Sequence, residues 1–150
     1  MGDQDLEEAS LVHKEAFKRQ CHSYEWLRCN LNAYPRIICF VAVKENSIVG
    51  YIIWSQKSGF RRETVLELDQ IAVLKRYRCQ GIGRKLIEDS LSEVRNKLKN
   101  QDSVLKHIIV TTRADNDAQE LYKKTLRAEI EVTITNLYSS DEVVMIARNV

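Results

Sequence analysis

The sequence predicts one α/β domain built around a mixed β-sheet. A chain of 150 residues fits a single domain, here residues 1–150, and it carries no internal repeat, linker or low-complexity tract. Helical and strand patterns also alternate along the chain. The order is two helices, a hairpin-like meander, and then strand, helix, strand, helix, strand and strand, which is typical of a mixed sheet with flanking helices.

Four segments have apolar residues at the three- and four-residue spacing of an amphipathic helix. In the first of them Leu6, Ala9 and Val12 share a stripe, and Pro35 ends the second. The predicted helices are 5–19, 23–34, 82–98 and 116–126.

Six segments have the apolar runs or the alternation expected of strands. The polar residues Glu45, Asn46 and Ser47 separate the first two, which favours a hairpin. The predicted strands are 37–43, 48–54, 65–73, 108–112, 130–134 and 143–147.

Composition excludes several classes of protein. The net charge is +2, from 23 basic and 21 acidic residues, which argues against a nucleic-acid-binding module. No apolar run approaches the roughly 20 residues that span a membrane, and the acidic N-terminus is not a secretory signal. The four cysteines form no C-x-x-C pair, so we expect free thiols in the cytoplasm and no metal site.

The most informative segment is the loop 75–83, which joins a strand to a long helix. It contains Gly81 and Gly83 among basic residues, a composition suited to an anionic phosphate group at the start of a helix. The alternative is a basic turn with two glycines and no ligand. The match to a dinucleotide fingerprint is weak, because Leu86 stands where its third glycine belongs.

A second segment, 111–124, starts another helix. Asn116 followed by Gln119 predicts a helix cap with a capping box. Tyr122 is either a packed core aromatic or a functional hydroxyl.

Both segments resemble motifs of the GNAT superfamily of N-acetyltransferases. Arg78-Cys79-Gln80-Gly81-Ile82-Gly83 resembles the R/Q-x-x-G-x-G/A motif that opens a long helix in that family. Asn116, Ala118, Leu121 and Tyr122 resemble its later N-x-x-A-x-x-L-Y motif, with one residue fewer before the alanine. The resemblance implies a GNAT-like fold, with a mostly antiparallel mixed sheet and about four helices, and acetyl-CoA as co-substrate.

The resemblance also implies a role for each matching residue. Tyr122 would protonate the departing thiolate, and Glu67 would be the general base, with Asp69 or a water chain as alternatives. Glu67 and Asp69 are two residues apart and so are expected on one face of their strand, unless they are exposed carboxylates paired with Arg61 or Arg62. The residues implied to hold the cofactor are Ile71, Ala72, Val73, Arg78, Cys79, Gln80, Gly81, Ile82, Gly83, Arg84 and Asn116.

Two features depart from the family pattern. Few residues precede Leu6, so the first strand of the family is predicted to be missing or vestigial. The strand 37–43 would then have an open edge, which we expect the N-terminal residues or a homodimer partner to cover. After Tyr122 the family has Gly-Phe, but here Thr125-Leu126-Arg127 provides no glycine for a left-handed cap.

The resulting prediction is transfer of an acetyl group from acetyl-CoA to a primary amine of a small molecule or protein that the sequence does not identify. The alternative is a non-catalytic sensor of acetyl-CoA or CoA. A sensor would keep the loop 78–84 but would not need Glu67 or Tyr122.

Overall fold

The computed structural model describes all 150 residues, which form four α-helices and six β-strands. The helices are α1 (Leu6–Ala16), α2 (Ser23–Asn32), α3 (Ile82–Lys99) and α4 (Ala118–Leu126). The strands are β1 (Ile37–Lys44), β2 (Ser47–Lys57), β3 (Glu63–Val73), β4 (Val104–Arg113), β5 (Glu129–Ile134) and β6 (Glu142–Arg148). Each predicted element is present, and the main differences are a shorter α1 and a longer β4. No helix is long and apolar enough to cross a membrane.

The six strands form one sheet in the order β1-β2-β3-β4-β6-β5. Neighbouring strands are antiparallel except β3 and β4, which run parallel. The mixed, mostly antiparallel sheet with four helices and no additional first strand is therefore confirmed.

The sheet has a hydrophobic core on each face. Alternate residues of β2 serve the two cores: Ile52 and Trp54 pack with α3 and α4, whereas Tyr51 and Ile53 pack with α1 and α2. Burial of these apolar side chains, at roughly 25 cal/mol per Å², is the main force that holds the helices on the sheet.

A bulge in β3 shapes the centre of the sheet. On β2, the adjacent residues Ile53 and Trp54 pair with Gln70 and Leu68, so Asp69 has no partner residue. An extra residue bends the strand and reverses which side chains face each side. Leu68 packs toward α3, whereas beyond the bulge it is Ile71 that packs there. Asp69 is hydrogen-bonded to Ser55, and Glu67 is paired with Lys57, two residues further along β2. The two carboxylates therefore share one face of the sheet, as predicted, although the bulge interrupts the simple alternation.

Strands β3 and β4 pair only over the first part of their length. The last pair is Glu67 with Ile109, after which the strands separate. The separation leaves the β4-facing edge of residues 68–73 without a strand partner.

The structure shows what replaces the missing first strand at the edge of β1 and the missing glycine at the end of α4. The Met1 amino group donates a 3.1 Å hydrogen bond to the Cys39 carbonyl oxygen, on the outer edge of β1. Arg127, at the C-terminal cap of α4, has a φ of 56°, so an arginine takes the left-handed conformation that glycine adopts more easily.

Candidate active site

A cleft of about 700 Å³ opens where β3 and β4 separate. It reaches from the start of α3 to the end of α1 on the opposite face of the sheet. Of the residues predicted for the site, the cleft is lined by Ile71, Ala72, Val73, Arg78, Cys79, Gly81, Ile82, Gly83, Arg84, Asn116 and Tyr122. Two predicted residues, Gln80 and Glu67, are not part of its lining.

The loop before α3 is shaped by two residues in the left-handed region. Gly81 has a φ of 79° and is the N-cap of α3, and Cys79 has a φ of 58°. No side chain caps this helix end, so the N–H groups of its first turn are available to a ligand. A Cβ atom built on Gly81 would meet nothing within 4 Å, so there is open space above the backbone. Uncapped donors beside open space suit a phosphate oxygen.

The side chains of the loop divide between the cleft and the surrounding protein. Arg78 Nε donates a 2.9 Å hydrogen bond to the Val73 carbonyl oxygen, which ties the loop to the end of β3. Gln80 instead binds Lys44 Nζ through its side-chain oxygen and donates to the Arg76 carbonyl. Gln80 therefore stabilises the loop through contacts that lie outside the cleft.

Gly50 on β2 is a contributor that the sequence motifs did not reveal. A Cβ atom at Gly50 would lie 2.8 Å from the Ala72 carbonyl oxygen, which is closer than real Cβ atoms approach. Glycine is needed here so that β2 can approach the part of β3 that lines the cleft.

Tyr122 and Asn116 occupy the α4 side of the cleft. Tyr122 is 5 % exposed, and desolvation alone raises its pKa to about 12. Asn116 Oδ1 accepts a 3.0 Å bond from the Ala118 N–H, and its Nδ2 donates to Thr112 Oγ1 at 2.8 Å. Asn116 thus accepts a bond from the first residue of α4, as a capping side chain does, although the helix begins two residues later than predicted and Asp117 occupies its N-cap position. The predicted capping box is wrong, because Gln119 Nε2 donates to the carbonyls of Arg113 and Ala114 instead.

Two of the carboxylates of β3, Glu67 and Asp69, have different surroundings. Glu67 forms an ion pair with Lys57 at 2.6 Å and accepts a bond from Thr111 Oγ1 at 3.3 Å, so its partner is neither Arg61 nor Arg62. Asp69 opens on the cleft, and desolvation by the cleft walls raises its pKa, although a hydrogen bond from Ser55 opposes the shift.

The face of the sheet opposite α3 provides a second entrance. Ala16 and Phe17, at the end of α1, line the cleft there. Arg19, in the α1–α2 loop (residues 17–22), donates a hydrogen bond to Ser139 in the β5–β6 loop. This contact links the loop that follows α1 to the loop between β5 and β6. No motif marked these residues.

The sequence over residues 5–126 matches the acetyltransferase (GNAT) family. This chain belongs to the GNAT family. The prediction of an acetyl-CoA-dependent N-acetyltransferase made from the two motifs is thereby confirmed.

Individual relatives agree with this membership. An N-alpha-acetyltransferase of Saccharolobus solfataricus is 30% identical over 117 residues, covering 73% of this chain and 67% of the relative. Among solved structures, the ribosomal-protein-S18-alanine N-acetyltransferase of Escherichia coli superposes with a TM-score of 0.78 at 20% identity, covering 99% of this chain and 90% of that one. An aminoglycoside 6'-N-acetyltransferase complexed with coenzyme A superposes with a TM-score of 0.77 at 17% identity, covering 99% of this chain and 93% of that one.

Proposed function

We propose that this GNAT acetyltransferase transfers the acetyl group of acetyl-CoA to the α-amine at the N-terminus of a peptide or protein. The observation that carries the acetyl-transfer chemistry is the cleft between β3 and β4. It joins an uncapped helix start on one face to a second entrance on the other, with Asp69 and Tyr122 in its walls. The second entrance, beside Ala16 and Phe17, gives the end of a peptide chain a route to the cleft, and the 30% identical relative is an N-alpha-acetyltransferase.

The cofactor side of the cleft fits a thioester with a pyrophosphate arm. The first-turn N–H groups of Ile82, Gly83 and Arg84 would hold phosphate oxygens, supported by the positive end of the helix dipole. The open edge of Ile71, Ala72 and Val73 would supply backbone donors to the pantetheine arm and to the acetyl carbonyl. Acetyl-CoA supplies an activated acyl group on a thiolate leaving group.

The contacts favour Asp69 over Glu67 as the base. The amine nitrogen bonds to the carbonyl carbon as the carbon–sulfur bond breaks, and the nitrogen must lose a proton. Asp69 opens on the cleft, and its raised pKa makes it a better proton acceptor than an ordinary aspartate. Glu67 is engaged by Lys57 and lies outside the cleft lining. Its role in the reaction would be to fix Lys57 and Thr111.

The raised pKa of Tyr122 changes the role proposed for its hydroxyl. A free thiol has a pKa of about 8.5, so full proton transfer from a hydroxyl with a pKa of about 12 is uphill by roughly 5 kcal/mol. We therefore assign Tyr122 a hydrogen bond to the sulfur as negative charge develops there. The proton that finally reaches the thiolate comes from solvent.

The experiment is thiol release from acetyl-CoA with three acceptor sets. They are lysine-free peptides with a free α-amine, the same peptides with a blocked N-terminus and one lysine, and kanamycin. We expect turnover with the first set only. Turnover confined to the second or third set would replace the acceptor class and leave acetyl transfer in place. Binding of acetyl-CoA by calorimetry without turnover on any set would favour the sensor.

Two further assignments belong with this proposal. All four cysteines are free thiols, which is consistent with the predicted cytoplasmic location. A homodimer that covers the outer edge of β1 stays a prediction, for which light scattering at high concentration is the measurement.

A further inference from the structure

A chain of polar side chains connects β3 to the α1–α2 loop beneath the second entrance. Gln70 Nε2 donates to Gln20 Oε1 at 3.3 Å, and Gln20 Oε1 also binds His13 Nε2 at 3.0 Å. His13 is 0 % exposed and its other ring nitrogen binds Ser23 Oγ at 2.9 Å. The loop, the last turn of α1 and the first turn of α2 therefore meet at one buried histidine.

Gln70, at the other end of this series of hydrogen-bonded side chains, is fixed to the core. Gln70 Oε1 accepts bonds from Tyr51 Oη at 2.9 Å and from Trp26 Nε1 at 3.0 Å. Both are donors, so the oxygen of the Gln70 amide faces them and its NH₂ group faces Gln20. Gln70 is 9 % exposed, which makes each of these bonds costly to leave unmade.

The direction of every bond is set by this arrangement. Gln20 Oε1 is only an acceptor, so His13 carries a proton on Nε2. Burial lowers the pKa of His13 and favours the neutral ring, whose Nδ1 then accepts the Ser23 hydroxyl proton. The Phe17 ring, which lines the cleft, lies 5.0 Å from the His13 ring between centroids. The position of Phe17 is thus coupled to Gln70, the residue that precedes Ile71 on β3.

We propose that Gln70 is a positioning residue for the acceptor: through Gln20 and His13 it holds the α1–α2 loop and Phe17 as the acceptor-side wall of the cleft. This inference rests on the proposed function, in which the amine enters beside that loop. It follows that breaking a hydrogen bond between Gln70, Gln20 and His13 weakens acceptor binding. The cofactor loop of residues 75–83 lies on the other side of the cleft and is unaffected.

A pair of variants at Gln20 tests these hydrogen bonds, because Gln20 is exposed and its substitution removes little packing. Gln20→Met removes the oxygen that both donors need. Gln20→Glu keeps it, because Gln20 acts in the chain only as an acceptor. Gln70→Met removes the hydrogen bonds at the β3 end of this series of side chains. Gln56→Met is the matched control, since Gln56 is 7 % exposed on β2 but binds Gly59 and Thr64 outside the cleft.

Binding is measured by calorimetry with two probes, CoA alone and CoA joined through an acetyl bridge to the α-amine of the tetrapeptide Ser-Leu-Gly-Ala. We expect the Kd of the conjugate to rise roughly three- to tenfold for Gln20→Met and Gln70→Met, the effect of losing about one hydrogen bond. The Kd of CoA should stay within twofold. Gln20→Glu and Gln56→Met should match wild type with both probes.

Hydrogen exchange of the amides of residues 17–22 provides a readout that needs no acceptor. We expect faster exchange in Gln20→Met and wild-type exchange in Gln20→Glu. Unchanged conjugate affinity and unchanged exchange in Gln20→Met would overturn the positioning role. If wild type binds the conjugate no better than CoA, the proposed acceptor fails instead, and the exchange result still decides whether Gln70 and Gln20 hold the loop.

Discussion

Glu67 on β3 and Ile109 on β4 are the last residues of the two parallel strands that pair before the strands separate. Almost every residue assigned to the reaction lies beyond this pair, on the diverging ends of the strands or on the helices that follow them. The separation exposes the backbone groups of residues 68–73, which would otherwise bond within the sheet. The cleft is therefore a consequence of incomplete pairing, promoted by the bulge at Asp69.

The left-handed backbone at Gly81 predicts that cofactor affinity depends on glycine at this position. Gly81→Val adds a side chain where φ is 79°, which costs roughly 1 to 2 kcal/mol, and fills the open space above the first turn of α3. We expect CoA affinity, measured by calorimetry, to fall at least roughly tenfold, equivalent to about 1.4 kcal/mol.

Gly59 provides the control for this prediction. It has a φ of 81°, it also has nothing within 4 Å of a built Cβ, and it lies in the loop between β2 and β3, outside the cleft lining. Gly59→Val should lose a similar amount of stability and bind CoA like wild type. Equal CoA affinity in both variants would mean that the phosphate does not bind at the start of α3.

Asp69 and Glu67 are distinguished by their neutral amide variants. Asp69→Asn removes the proposed base and should lower kcat by roughly 10²- to 10⁴-fold. Glu67→Gln loses the ion pair with Lys57, an interaction worth at most about 1 kcal/mol at a partly exposed site, and should lower kcat less than tenfold. Steady-state thiol release from acetyl-CoA measures both.

The direction of the pKa shift adds a pH test for Asp69. Its pKa is raised in the folded state, so ionised Asp69 opposes folding above the ordinary aspartate pKa. Asp69→Asn should therefore melt at or above the wild-type temperature at pH 8, and this gain should fade as the pH falls toward about 4. The wild-type rate should fall as the pH is lowered through the raised pKa. A large rate loss in Glu67→Gln with none in Asp69→Asn would reverse the assignment.

Elements and motifs could be predicted from the sequence because they depend on neighbours a few residues away. The apolar spacing of 82–98 gave a helix observed at Ile82–Lys99, and the glycines of 78–83 marked the loop before it. The bulge at Asp69 could not be predicted, because it depends on the register between β2 and β3. The same holds for Gly50, whose need for a bare Cα comes from the Ala72 carbonyl oxygen, and for the bond between Gln20 and Gln70, 50 residues apart.

Tyr122→Phe tests the hydroxyl without removing the ring from the core. A hydrogen bond to a developing charge is worth about 1.5 to 3 kcal/mol, so we expect kcat to fall roughly 10- to 100-fold with little change in the Kd of CoA. Since burial raises the pKa of Tyr122 to about 12, the loss should be constant from pH 6 to pH 9. Tyr24→Phe, in α2 and outside the cleft lining, should leave the rate unchanged. Equal rates in Tyr122→Phe and wild type would remove the hydroxyl from the mechanism.

The cap of α4 predicts a stabilising substitution. Arg127 adopts a left-handed conformation that costs an L-amino acid with a side chain roughly 1 kcal/mol, and it is exposed, so little packing is lost when the side chain is removed. Arg127→Gly should raise the free energy of unfolding by up to about 1 kcal/mol, less what glycine adds to the entropy of the unfolded chain. For a domain of this size the melting temperature should rise by about 2 to 4 °C per kcal/mol.

Arg95→Gly, at an exposed position within α3, should instead destabilise the protein by about 1 kcal/mol, because glycine is a poor helix former. Differential scanning calorimetry compares the two variants, and a fall in melting temperature for Arg127→Gly would show that the arginine side chain contributes more at the cap than its backbone strain costs.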